Sequence, residues 1–121
     1  MQLFRFDLDV GRNIEVYGSR QATLSPIGQL DGKITVVCFY LEAGGVIGYH
    51  RAAMSQLFLV VQGEGQVRGA EEQSVTIQAG QAAFWQAGEG HETTTENGLV
   101  AIVMEGEGLE PGRWVQSLMM L

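Results

Sequence analysis

The sequence predicts an all-β fold, a barrel or a sandwich, and two observations carry that reading. Apolar and polar residues alternate with a period of two in short runs, and turn residues separate those runs at close spacing. No segment shows a convincing amphipathic helical stripe.

Taken in order, the strand-like runs are NIEVYG (13–18), KITVVCFYLE (33–42), QLFLVV (56–61), GQVRG (65–69), SVTIQ (74–78), AAFWQ (82–86), HETTT (91–95) and LVAIVME (99–105). Valine, isoleucine, threonine and aromatics fill them, the side chains that fit a pleated, half-buried surface. Between them lie SPIGQLDG, AGG, QGEG, GAEE, AGQ, AGEG and ENG, which supply most of the corners. Asn97–Gly98 between two such runs is a hairpin signal, because both residues tolerate positive φ. The tail at 112–121 is ambiguous: Trp114, Leu118 and Leu121 could form a helical stripe, and the segment could equally be a strand.

The run Leu57-Phe58-Leu59-Val60-Val61 is apolar on both faces. A strand of a one-layer barrel has a wet outer face unless something covers it. The chain's own terminal segments or a partner subunit would serve. With the apolar tail Leu118-Met119-Met120-Leu121, the run motivates an expected homodimer built on the outer face of one sheet.

A chain of 121 residues supports one core, so residues 1–121 are read as a single domain. Seven Lys and Arg against fourteen Asp and Glu give a net charge of −7. That balance repels phosphate backbones and anionic bilayers, so no nucleic-acid or membrane partner is expected. No apolar run approaches the roughly 20 residues of a membrane span. The start, MQLFRFDLDVGR, lacks the apolar block of a signal peptide, and the single Cys38 has no partner for an internal disulfide. A cytoplasmic location is expected.

The two histidines, His50 and His91, stand in similar glycine frames. The first runs Gly44, five residues, His50, one residue, Ala52, three residues, Gln56, six residues, Gly63. The second runs Gly80, five residues, Gln86, one residue, Gly88, two residues, His91, three residues, Thr95. Over residues 44–95 this resembles the two motifs of the cupin superfamily, G-x5-H-x-H-x3,4-E-x6-G and G-x5-P-x-G-x2-H-x3-N.

The resemblance implies a double-stranded β-helix, or jelly-roll barrel, with ligands projecting inward from facing strands onto a divalent metal near the barrel mouth. Both histidines fall on metal-ligand positions of the family. Ala52 stands where the family has a second histidine and Gln56 where it has a carboxylate; Gln86 and Thr95 replace the proline and the asparagine. The implied set is therefore His50, Gln56 and His91, holding zinc, nickel, copper or iron weakly. Alanine supplies no donor atom, and a neutral amide oxygen is a poorer ligand for a dication than a carboxylate. Two neutral imidazoles hydrogen-bonded inside the barrel, with Gln56 satisfied by a neighbour or water, form the other reading of the same residues.

Around this set, Ala52 is expected to leave space. Thr93 and Thr95 share the face of His91 if 91–95 is extended. Phe58, Phe84 and Trp85 are candidate walls, although aromatic strand residues also serve as core. Arg51 should face away from His50, and Cys38 is read as a small buried hydrophobe. Ligand-binding candidates are His50, Gln56, Phe58, His91 and Thr93. No G-x-S-x-G elbow or phosphate-cradling loop is present.

The function expected is binding of a small molecule in the barrel interior at a degenerate metal site. The alternative is a metal-dependent enzyme of oxygenase or isomerase type, with His50 and His91 as ligands. A pure interaction scaffold has little use for buried imidazoles, and Lewis-acid or redox catalysis needs a firmly held ion.

Overall fold

A computed structural model describes residues 1–27, 31–110 and, as backbone, 116–117. Its strands are β1 (Gln2–Arg5), β2 (Arg12–Ile14), β3 (Ala22–Leu24), β4 (Thr35–Leu41), β5 (Val46–Arg51), β6 (Gln56–Arg68), β7 (Val75–Gln78), β8 (Gln81–Trp85), β9 (Gly90–Thr94), β10 (Leu99–Glu105) and β11 (Gln116–Ser117). Among the described residues, no helix is long and apolar enough to cross a membrane.

β6 organises the molecule. The runs expected at 56–61 and 65–69 are one strand that serves both faces of the barrel. Its first half pairs antiparallel with β8 and β10, and its second half with β7 and β9. One face reads β11-β1-β8-β6-β10-β4. The other holds β5, β9, β6 and β7.

The register of β10 against β6 slips between Val100 and Ala101, which leaves Val61 as the extra residue of a bulge. Before the bulge Phe58 and Val60 point inward; after it Val67 does. Val61 itself is 47% exposed. Gly63 follows with φ +81, and a Cβ there would collide with the carbonyl oxygen of Gly98. The last glycine of the first motif is thus required by backbone conformation and by close approach of another strand.

The interior is packed by Leu3, Phe58, Val60, Val67, Ile77, Ala83, Trp85, Leu99, Ala101 and Val103. A second cluster covers the outside of the β6–β8–β10 face, where Leu57 and Leu59 meet Phe4, Phe84 and Leu109, with Phe6, Ile27, Ile102 and Met104 against them. The outward-facing Leu57 and Leu59 of the run 57–61 are therefore covered by this chain's own first strand and loops, while Val61 stays exposed. Each large side chain enclosed this way contributes roughly 1.5–3 kcal/mol.

Other expectations are corrected. Asn97–Gly98 makes a turn, with Gly98 at φ +109, yet it closes no hairpin. β9 and β10 pair with different halves of β6, so the turn carries the chain from one face to the other. Cys38 is exposed, because β4 is an edge strand paired only with β10 among the described residues. Of the run 13–18, only Asn13 and Ile14 are strand, as the end of β2; a 3-10 turn at Val16–Gly18 follows, with Tyr17 at φ 59. β1, β3 and β5 lie outside the expected runs. Of the tail, only β11 is described, paired with β1; Trp114 and Leu118–Leu121 lie outside the described residues.

Candidate functional site

His50 on β5 and His91 on β9 are directly opposed Cα partners, so their side chains leave the same face of the sheet. Their ring centroids are 4.3 Å apart at an interplanar angle of 57°. Each ring is braced by the carbonyl two residues upstream. Nδ1 of His50 lies 2.7 Å from the Gly48 oxygen, and Nδ1 of His91 lies 3.3 Å from the Glu89 oxygen. A carbonyl only accepts, so Nδ1 donates in both rings and the neutral tautomer leaves the lone pair on Nε2.

The two rings sit in unlike surroundings. Only one of the two is buried as expected: His91 is 2% exposed and stacks on Trp85 with centroids 4.5 Å apart, whereas His50, near the end of β5, is exposed at the mouth. Burial lowers the pKa of His91 below the ordinary imidazole value, and the neighbouring His50 lowers it further. The Glu89 carbonyl and the charges of Glu89 and Glu105 oppose the shift without cancelling it. A neutral His91 at physiological pH follows.

Gln56, 7% exposed, opens β6 between Trp85 on β8 and Glu105 on β10, the cross-strand partners on either side. Its amide Nε2 donates to Oε1 of Glu105. Ala52 is 4% exposed, and its backbone is tied to Gly88 and Glu89 in the turn before β9. Phe58, 2% exposed, meets Trp85 edge to face at 6.1 Å. Thr93, 1% exposed, lies one inward step beyond His91 on β9. Thr95 is committed internally, donating to the Glu64 oxygen at 2.7 Å and accepting from the Gly98 N–H at 2.9 Å. Phe84 faces the outer cluster, not the site.

The structure thus brings His50 and His91 together over Trp85, and joins Gln56 to Glu105 in the adjoining row. Glu105 escapes a search based on the motif. The signal that finds it is period two: in LVAIVME it shares the parity of Leu99, Ala101 and Val103, all inward-facing. A charge on the apolar face of a strand needs a partner, and Gln56 is that partner.

Two imidazole nitrogens suit a borderline divalent metal. The rest of the donor set does not. Ala52 has no donor, the Gln56 amide is turned to Glu105, and among the described residues no three His, Cys, Asp or Glu side chains are grouped to hold an ion. A firmly bound metal is a poor fit to these side chains. A depression of about 1000 Å³ lies elsewhere. It is an open groove lined by Tyr40, Glu42, Gln62, Glu64, Gln78 and Asn97 among others, and it contains neither histidine. Size alone does not make it the site, since the convergent polar chemistry lies at the histidines.

Comparison with known proteins agrees with this architecture. A chain from crystal structures of DMSP lyases is 26% identical with a TM-score of 0.56, over 64% of this chain and 42% of that one. A predicted oxalate decarboxylase from Thermotoga maritima is 22% identical with a TM-score of 0.53, over 57% of this chain and 62% of its own. A cupin-2 domain containing protein from Shewanella frigidimarina is 20% identical with a TM-score of 0.53, over 67% and 78%. This chain thus spans less than two thirds of the first two. No curated protein matches by sequence. The family model described as a cupin domain matches residues 37–105, from the middle of β4 to the end of β10, and with the barrel and the glycine frame it shows that this chain belongs to the cupin family.

Proposed function

We propose that this cupin binds a small organic molecule at the barrel mouth, between the Nε2 atoms of His50 and His91. One observation carries the reading: two imidazoles with ring centroids 4.3 Å apart are each braced through Nδ1, which turns both Nε2 atoms toward a ligand. A pair held only for packing does not need both rings set in the same tautomer. His91 supplies a buried, stacked floor, and His50 lies where a ligand enters. The DMSP lyases and the predicted oxalate decarboxylase are named for small substrates, which supports a small-molecule role without identifying the ligand.

Native mass spectrometry and elemental analysis of protein purified without an affinity tag test the reading. A bound organic molecule that is lost in His50→Ala/His91→Ala supports it. Near-stoichiometric metal with no organic ligand favours the metal-dependent enzyme. An organic ligand retained in the double variant moves the pocket elsewhere.

A homodimer is also proposed, on a surface other than the one expected from 57–61. β4 (TVVCFYL) carries no charge, and among the described residues its outer edge is unpaired. Val36 and Tyr40, 56% and 74% exposed, project from it. An edge of this kind is a ready template for a second strand, and antiparallel pairing of β4 with β4 gives a closed two-fold.

A further inference from the structure

We infer that Glu105 is the carboxylate of this site, held by Gln56 as a positioning residue, and that the barrel mouth selects a positively charged ligand group. The inference rests on the small-molecule reading above and assigns the class of ligand.

Glu105, Gln56 and Trp85 form one row across β10, β6 and β8. Trp85 stacks on His91, and His91 faces His50, so the row continues into the imidazole pair. The polar atoms left over in this row are mostly acceptors. Each imidazole offers an Nε2 lone pair, because Nδ1 is the donor in both. Glu105 has given Oε1 to Gln56 and retains Oε2, while Gln56, having spent a donor on Glu105, retains its carbonyl oxygen. The donors left over in the row are the second N–H of the Gln56 amide and Nε1 of Trp85, which is buried. Arg51, next to His50 in sequence, alternates to the opposite face of β5.

An anionic ligand would therefore meet mostly lone pairs and the Glu105 carboxylate, with few donors to receive it. A protonated amine would find acceptors on several sides, and the chain's net charge of −7 favours its approach. The family position for a carboxylate is 56; here the charge stands one strand over, at 105, and the amide at 56 orients it. A metal ion would share this charge preference, and the test separates the two sources.

The chain's two histidines give two resolvable sets of ring signals. Protein labelled at histidine is titrated with propylammonium, with propionate and with zinc at low ionic strength, where charge preference is least screened. Propylammonium should shift the ring signals of both histidines with affinity about tenfold or more tighter than propionate, the scale of one unscreened charge contact. Glu105→Gln, which keeps the shape, should bring the two affinities within about twofold, as expected once that charge is absent. Gln56→Met should melt below the parent, because it leaves Glu105 without its donor, and should reduce the preference at temperatures where both proteins stay folded, a change that a merely structural role would not produce. If zinc rather than propylammonium shifts the rings, and Glu105→Gln removes the response, the carboxylate stands and the cation is a metal. Tighter binding of propionate, or a cation preference that survives Glu105→Gln, overturns the inference and leaves the pocket standing. If no probe moves either ring, the pocket reading fails and the inference with it.

Discussion

The double variant Ala52→His/Gln56→Glu restores the three-imidazole, one-carboxylate set of the family, and the structure says what that restoration costs. Ala52 is 4% exposed and Gln56 is 7% exposed, so both new side chains enter packed positions. Overpacking at a buried alanine costs about 1–3 kcal/mol. Gln56→Glu replaces a donor to Glu105 with a second carboxylate, losing a charge-assisted hydrogen bond of roughly 1.5–3 kcal/mol and adding like-charge repulsion. Together these remove about 3–6 kcal/mol, a large share of the 5–15 kcal/mol of a typical domain. Zinc reverses the balance, because a metal that binds only the folded form at 1,000 times its Kd returns about 4 kcal/mol. The expected result is a metal-free variant that melts well below the parent and a zinc-loaded variant that melts close to it. The parent should show little response to zinc. Differential scanning calorimetry with and without zinc, and calorimetric titration of the folded variant, measure both terms. Equal zinc shifts in parent and variant would mean that positions 52 and 56 do not face the histidine pair. A metal-free variant as stable as the parent would mean that neither the packing at 52 nor the contact between 56 and 105 carries weight.

Three further outcomes are expected. His91 binds a proton less readily in the folded than in the unfolded chain, so between its lowered folded pKa and the ordinary value near 6.5 the unfolded state holds more protons. Acidification through that window should therefore destabilise the parent more than His91→Gln in urea titrations; equal losses would show that burial does not hold the ring neutral. Gly63→Ala places a side chain at φ +81 against the Gly98 carbonyl, and should cost about 2 kcal/mol or more, with conformation alone accounting for about 1–2. Gly48→Ala on β5, with nothing within 4 Å of the new Cβ, should be neutral or stabilising by up to about 1 kcal/mol, and similar melting shifts for the two would refute the argument. Light scattering should give a dimer mass for the parent and a monomer for Val36→Lys/Tyr40→Lys, whereas a parent monomer at micromolar concentration would remove β4 as an interface.

What the sequence made legible was local geometry. The glycines at 44, 63, 80 and 88 all adopt positive φ, so their spacing marks corners that only a flexible residue fills cheaply. Those corners place His50 opposite His91, and the pairing could be read from the motif without knowing the sheet order. Sheet order itself was not legible. Asn97–Gly98 has the chemistry of a hairpin, but turn chemistry does not say with which strands its flanks pair, and β6 takes both. Cys38 was read as buried because it sits in an apolar run; its exposure follows from β4 being an edge, a property of the whole sheet. The cover over Leu57 and Leu59 comes from Phe4, Ile27 and Leu109, residues remote in the chain.

The carboxylate shows the same division at the level of chemistry. A motif records which position of one strand bears a ligand, whereas a site requires only that a charge reach a point in space. Gln56 and Glu105 are cross-strand partners, so moving the carboxylate from 56 to 105 displaces it by a single strand spacing, about 4.7–4.9 Å. A glutamate side chain spans much of that distance. The amide left at 56 then has a use that the motif does not record, since it donates to the displaced carboxylate and satisfies a charge on an otherwise apolar strand face. Read position by position, residue 56 has lost its charge. In the assembled barrel, Gln56 and Glu105 keep a carboxylate in the row that leads to His91, and its inward parity in LVAIVME was the one trace of it in the sequence.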